Sequence, residues 1–199
     1  MSTSLFDALG PLLSGANVSQ LASALGIDER KAASALQVAL PALVAALHRN
    51  ASSADGLSSL TGALDRNHDG SVLDDVAGFL SGGGSPDGAS VLGHILGDRR
   101  DAVARSVGRS TGLDAASVMK LLSLAAPLVL GALARARAAH PGGSGSVSDV
   151  LANATARMQQ GSPDLMSSLG GLLDANHDGS VADDLARMAG GLGSLFGTR

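Results

Sequence analysis

The chain has 199 residues, 18 acidic against 14 basic side chains for a net charge of −4, three Phe, and no Trp, Tyr or Cys. That length bounds it to one large domain or two small ones, and the missing Cys excludes a disulfide framework and thiol chemistry. Ala, Leu, Val, Gly and Ser dominate, a texture that favours closely packed helices meeting through small side chains.

The opening MSTSLFDALG lacks a basic region ahead of its apolar residues and does not have the form of a secretory signal. The most apolar run, LLSLAAPLVLGALA at 121–134, is shorter than the roughly 20 residues that a bilayer crossing needs. The expectation is a soluble, cytoplasmic protein with no membrane partner.

The stretch VSQLASALGIDERKAASALQVAL has the outline of a helix-turn-helix. Its second helix carries Glu29, Arg30, Lys31 and Gln37 but is otherwise small and apolar, which suits a core helix better than a DNA reader. Basic residues elsewhere are scattered and lack aromatic partners, so no nucleic acid is expected as a partner. Asp28 follows a helix-closing Gly26 and is placed to cap the next helix. Ala35, Leu36, Ala39, Leu40, Leu43, Val44 and Leu47 then recur with the spacing of a buried helical face. Pro41 sits inside this run and is expected to kink or split the helix.

Next comes LDRNHDGSVLDD, residues 64–75, which begins like a calcium-binding loop. With Asp65 as position 1, Asn67 and Asp69 supply side-chain oxygens at 3 and 5, Gly70 gives the bend at 6, and Ser71 gives a carbonyl at 7. Val72 falls at position 8, where paired loops of this kind bridge to each other. Position 12 is Val76, which cannot coordinate, so closure is expected from Asp74 or Asp75 at the exit helix. The bland alternative is a capping box, Ser71 at the N-cap and Asp74 at N3, with no metal required. His68, at position 4, reads as solvent-facing.

The Gly-rich SGGGSPDG at 81–88 reads as a connector. ASVLGHILGDRRDAVARSVGRSTG predicts two short helices broken near Gly97-Asp98, with His94 as a packing residue. GRSTG at 108–112 matches the Gly-x-Ser-x-Gly elbow formally, but it follows a helix rather than a strand and reads as a helix-ending turn. His48, His94 and His140 share no spacing with an acid and a nucleophile, and no phosphate-binding loop is present. No catalytic residue, organic cofactor or small-molecule substrate is therefore expected. A second long helix is capped by Asp114 and carries Pro127, and HPGGSGS at 140–146 is a second connector.

The acidic turn then returns as LDANHDGSVADD, residues 173–184. Asp174, Asn176, Asp178, Gly179 and Ser180 repeat the first half of the loop, Val181 repeats Val72, Leu185 takes the place of Val76, and Asp183 or Asp184 would close it. Eight of the 18 acids lie in the two turns, the concentration of charge that divalent-cation sites require. Sliding the chain by 86 residues aligns Gly26 with Gly112, Asp28 with Asp114 and Pro41 with Pro127; a slide of 109 superimposes the two turns. The pattern is a tandem repeat with an insertion in its second copy. Its units are residues 1–81 and 82–199, which can pack as one domain.

LGIDERKAASALQVALPALVAALHRN, GASVLGHILGDRRDAVARSVGRSTGLDAASVMKLLSLAAPLVLGALAR and GSVADDL resemble the bacterial YidB-like family, catalogued as domain of unknown function 937. The resemblance spans most of residues 18–185, with VLGHILG its most distinctive part. It implies a multihelical bacterial protein and implies no activity.

The expectation is an all-α, non-enzymatic repeat protein binding Ca²⁺, or Mg²⁺ in its place, at Asp65, Asn67, Asp69, Ser71, Asp74 or Asp75 and at Asp174, Asn176, Asp178, Ser180, Asp183 or Asp184. The missing Glu at position 12 sets the affinity on the order of 10⁻⁵ to 10⁻³ M. The alternative is a metal-independent scaffold that associates with itself or another protein, its turns serving as caps.

Overall fold

A computed structural model describes residues 4–67, 70–139 and 146–161. Tertiary contacts gather into two units, Met1–Met158 and Gln159–Arg199, and the account below concerns the first. Every described element is helical, and no strand occurs among the described residues.

The order is α1 (Leu5–Leu9), a 3₁₀ turn (Gly10–Leu13), α2 (Gly15–Leu25), α3 (Glu29–Asn50), α4 (Ala54–Asn67), a 3₁₀ turn (Ser71–Leu73) and α5 (Val76–Ser81). There follow α6 (Gly88–Leu96), a 3₁₀ turn (Gly97–Arg99), α7 (Arg100–Thr111), α8 (Ala115–Ala138) and α9 (Val147–Gly161). Helix α8 is the centre of the bundle: α1, α2, α3, α4, α6 and α7 all pack against it. Helix α3 lies alongside, against α2, α6, α7 and α8. Elements from before and after residue 82 thus share one core.

The local causes are visible in the caps. Gly26 and Gly112 close α2 and α7 in the left-handed conformation, at φ 69° and 70°, where a Cβ would be strained. Two residues later Asp28 and Asp114 cap α3 and α8, each accepting a backbone N–H at 2.9 Å, from Lys31 and Ser117. The Ser117 hydroxyl also donates to Asp114, and these bonds hold its carboxyl below the ordinary aspartate value. Ser4 and Asp7 form a reciprocal capping box on α1 that the sequence reading passed over.

The apolar face expected on the first long helix is buried throughout, Ala35 and Leu43 completely. The prolines do not split their helices. Pro41 and Pro127 each lie inside an unbroken helix, α3 of 22 and α8 of 24 residues. Each removes one backbone bond, and the long buried faces on either side outweigh that loss.

Helices α3 and α8 are long and apolar enough to cross a membrane by length and composition, at mean hydropathy 1.3 and 1.8. The apolar run at 121–134 therefore understates its helix, and length does not exclude a crossing. Core packing accounts for the hydropathy, since 61% and 72% of those windows are buried in the bundle.

A candidate acidic site at the α4–α5 turn

The first acidic turn begins on α4 itself, which continues through Asp65 to Asn67. His68 and Asp69 lie outside the described residues. Gly70 follows at φ 97°, the left-handed geometry a glycine is needed for. Ser71–Leu73 then make a single 3₁₀ turn closed by Leu73 N–H to the Gly70 carbonyl (3.1 Å) and Asp74 N–H to the Ser71 carbonyl (2.9 Å).

Gly70 and Gly131 of α8 bring the turn onto the central helix. A Cβ on Gly131 would lie 2.7 Å from Val72 Cγ1, and one on Gly70 would lie 3.1 Å from the Gly131 carbonyl. The missing side chains let backbone meet backbone at this point. Leu64, Leu73 and Val76 are buried on either side, fixing the turn by its apolar residues. The Val72 side chain meets Gly131 of α8; Val181, the other half of the expected bridge between the turns, lies outside the described residues.

The described carboxylates of the turn all have partners. Asp65 accepts from Arg137 Nη2 at 2.7 Å. Asp74 is paired with Arg135 Nη2. Both arginines come from the last turns of α8 and carry the turn's negative charge onto that helix. Arg137 Nη1 is buried without a hydrogen-bond partner among the described residues. Asp75 caps α5, its Oδ1 accepting from the Gly78 N–H at 2.8 Å. A Cβ on residue 78 would stand 2.1 Å from Asp75 Oδ2, so glycine there gives the cap its close seat.

The capping expected from Ser71 and Asp74 is thus supplied by Asp75. The intervening 3₁₀ turn starts α5 at Val76, which moves the N-cap past Ser71. Among the described residues no three His, Cys, Asp or Glu side chains gather closely enough to hold a metal ion. The second turn, with Asp174, Asn176, Asp178, Ser180, Asp183 and Asp184, lies outside the described residues.

The sequence did not reveal Arg135 and Arg137. They stand 61 and 72 residues beyond their partners, and the only local hint was basic charge at the end of a long helix. A second feature it missed is a cleft of about 660 Å³ between α4 and α6, lined by Asn50, Asp55, Asp87 and His94 above an apolar floor. His94 was expected to pack inside a helix interface and is instead exposed at this cleft, its carbonyl accepting from Asn50 Nδ2 at 3.1 Å.

Most of this bundle, from Asp7 in α1 to Ala136 near the end of α8, coincides with a family match. Residues 7–136, well over half of the chain, match the model of a bacterial protein of unknown function, DUF937. The chain belongs to that family. The match takes in the first acidic turn and stops before the second, so it is shorter at its C-terminal end than the sequence resemblance suggested. No curated protein and no solved structure matches the chain.

Proposed function

We propose that this family member is a non-enzymatic helical scaffold protein, and that its first acidic turn is a structural clip fastening α4 and α5 to α8. The observation that carries this reading is the full engagement of Asp65, Asp74 and Asp75 by Arg137, Arg135 and the α5 N-terminus. A carboxylate already bonded to a guanidinium or to helix N–H groups contributes its charge to the fold. The matching caps at Gly26-x-Asp28 and Gly112-x-Asp114 support a duplicated α2–α3 and α7–α8 core, the bundle having grown by tandem repetition.

A second reading is favoured by the Asp-x-Asn-x-Asp-Gly order and by the left-handed Gly70 at the bend. In it Ca²⁺ is held by Asp65, Asn67, Asp69, Ser71 and Asp74 or Asp75, and a like set serves the second turn. Cation binding would then draw Asp65 and Asp74 away from their arginines. The hard, oxygen-only donor set suits Ca²⁺ and, in a tighter octahedral arrangement, Mg²⁺.

Calorimetric titration with Ca²⁺, together with thermal melting in Ca²⁺ and in chelator, separates the two readings. The clip predicts no binding heat at millimolar Ca²⁺ and equal melting temperatures. A rise in melting temperature with Ca²⁺ is the linkage expected of the second reading and overturns the first. Light scattering under the same conditions tests the scaffold: its mass is expected to be the same with and without metal.

A further inference from the structure

We propose that the cleft between α4 and α6 is a binding site for a small amphipathic cation, an apolar chain ending in a protonated amine. Its volume of about 660 Å³ lies within the range of small-ligand sites. Leu47, Leu60, Ile95 and Leu130 form the floor, one from each of α3, α4, α6 and α8, and all four are buried. Above that buried floor, half-buried Ala63 and Val91 present the apolar surface that an aliphatic chain would cover.

The charged groups of the lining select the head. Asp55 and Asp87 contribute carboxylates, and among the described residues no Lys or Arg lines the cleft. Asp55 lies in the first turn of α4, and Asp87 immediately precedes α6 without capping it through its side chain. Neither carboxylate has a hydrogen bond or an ion pair among the described residues. The acidic turn differs on this point, since its described carboxylates are all engaged by the protein's own cations or amides. Two unpartnered negative charges beside an apolar floor attract an ammonium group and repel an anion of the same chain length. Asn50, Ser59 and Ser90 add neutral hydrogen-bonding groups to the lining, and His94 adds an exposed imidazole.

The inference is independent of the clip and of metal binding, because none of the acidic turn's residues lines the cleft. The test is calorimetric titration of the full chain with octylamine, octanol and octanoate, all below their aggregation thresholds. Octylamine is expected to bind saturably, about tenfold more tightly than octanol, the increment of two solvent-exposed charge pairs, with octanoate weakest. The double substitution Asp55→Asn with Asp87→Asn changes only exposed side chains and is expected to make octylamine and octanol equal. Ala63→Phe, which projects bulk into the cleft from α4, is expected to abolish binding of both while circular dichroism shows the helices retained. Absence of octylamine binding overturns the proposal. So does equal affinity for octylamine and octanol in the unaltered chain, or octylamine binding unchanged by the two Asn substitutions.

Discussion

Gly88 and Ser123 meet so closely that a Cβ on residue 88 would lie 2.5 Å from the Ser123 carbonyl oxygen. In an uninterrupted helix that carbonyl would accept from the N–H four residues on, but residue 127 is proline and has none. The gap in α8's hydrogen bonding and the closest approach of α6 therefore fall at one place. Replacing Gly88 with Ala should force α6 outward and lower stability by about 1–3 kcal/mol. Urea unfolding of the G88A variant measures this, and an unchanged midpoint would show that the approach is not tight in solution.

The clip makes a prediction about salt. Asp74 and Arg135 are 70% and 42% exposed, so their coupling in a double-mutant cycle should be at most about 1 kcal/mol. It should shrink further as ionic strength rises. Measuring D74A, R135A and the double variant by thermal melting at low and high salt checks both the size and the trend.

Acid should weaken the α8 cap. The Ser117 hydroxyl, and after it the Ser117 N–H, hold the Asp114 carboxyl below its usual value of 3.8. A carboxyl whose folded value is depressed stabilises the fold above its unfolded value, and that contribution is lost as pH falls through the folded one. Asp114→Asn keeps a side-chain oxygen at the cap at every pH. The melting temperature should therefore fall less for D114N than for the parent chain between about pH 5 and about pH 2.

Gly26 and Gly112 should tolerate substitution equally badly. Both are left-handed, and nothing lies within 4 Å of a Cβ on either, so the cost is backbone strain alone. Each Gly→Ala change should remove about 1 kcal/mol. Comparing G26A with G112A by chemical unfolding tests whether the paired turns are energetically alike.

Much of the bundle was legible because its signals are local. A cap is read from an Asp and the glycine two residues before it, and the buried face of α3 from the spacing of Leu36, Leu40, Leu43 and Leu47. The break at Gly97 between α6 and α7 is of the same kind. The split allowed for at the prolines does not occur, because local chemistry measures what Pro127 removes and cannot see the buried surface that keeps α8 whole. The acidic turn's surroundings were hidden for a similar reason. That Asp65 and Asp74 meet Arg137 and Arg135, and that Val72 meets Gly131, follows from how α4 and α8 pack. Spacing within the turn carries no trace of those partners.

Arg135 and Arg137 stand two residues apart on one helix, yet they hold opposite ends of the same turn. The arrangement is that of a bidentate chelate. Once either guanidinium has its carboxylate, the other finds its own at high effective concentration. Loss of either arginine should cost little while the other still holds its carboxylate, and loss of both should cost more than the sum of the single losses, with Leu64, Leu73 and Val76 still seating the turn.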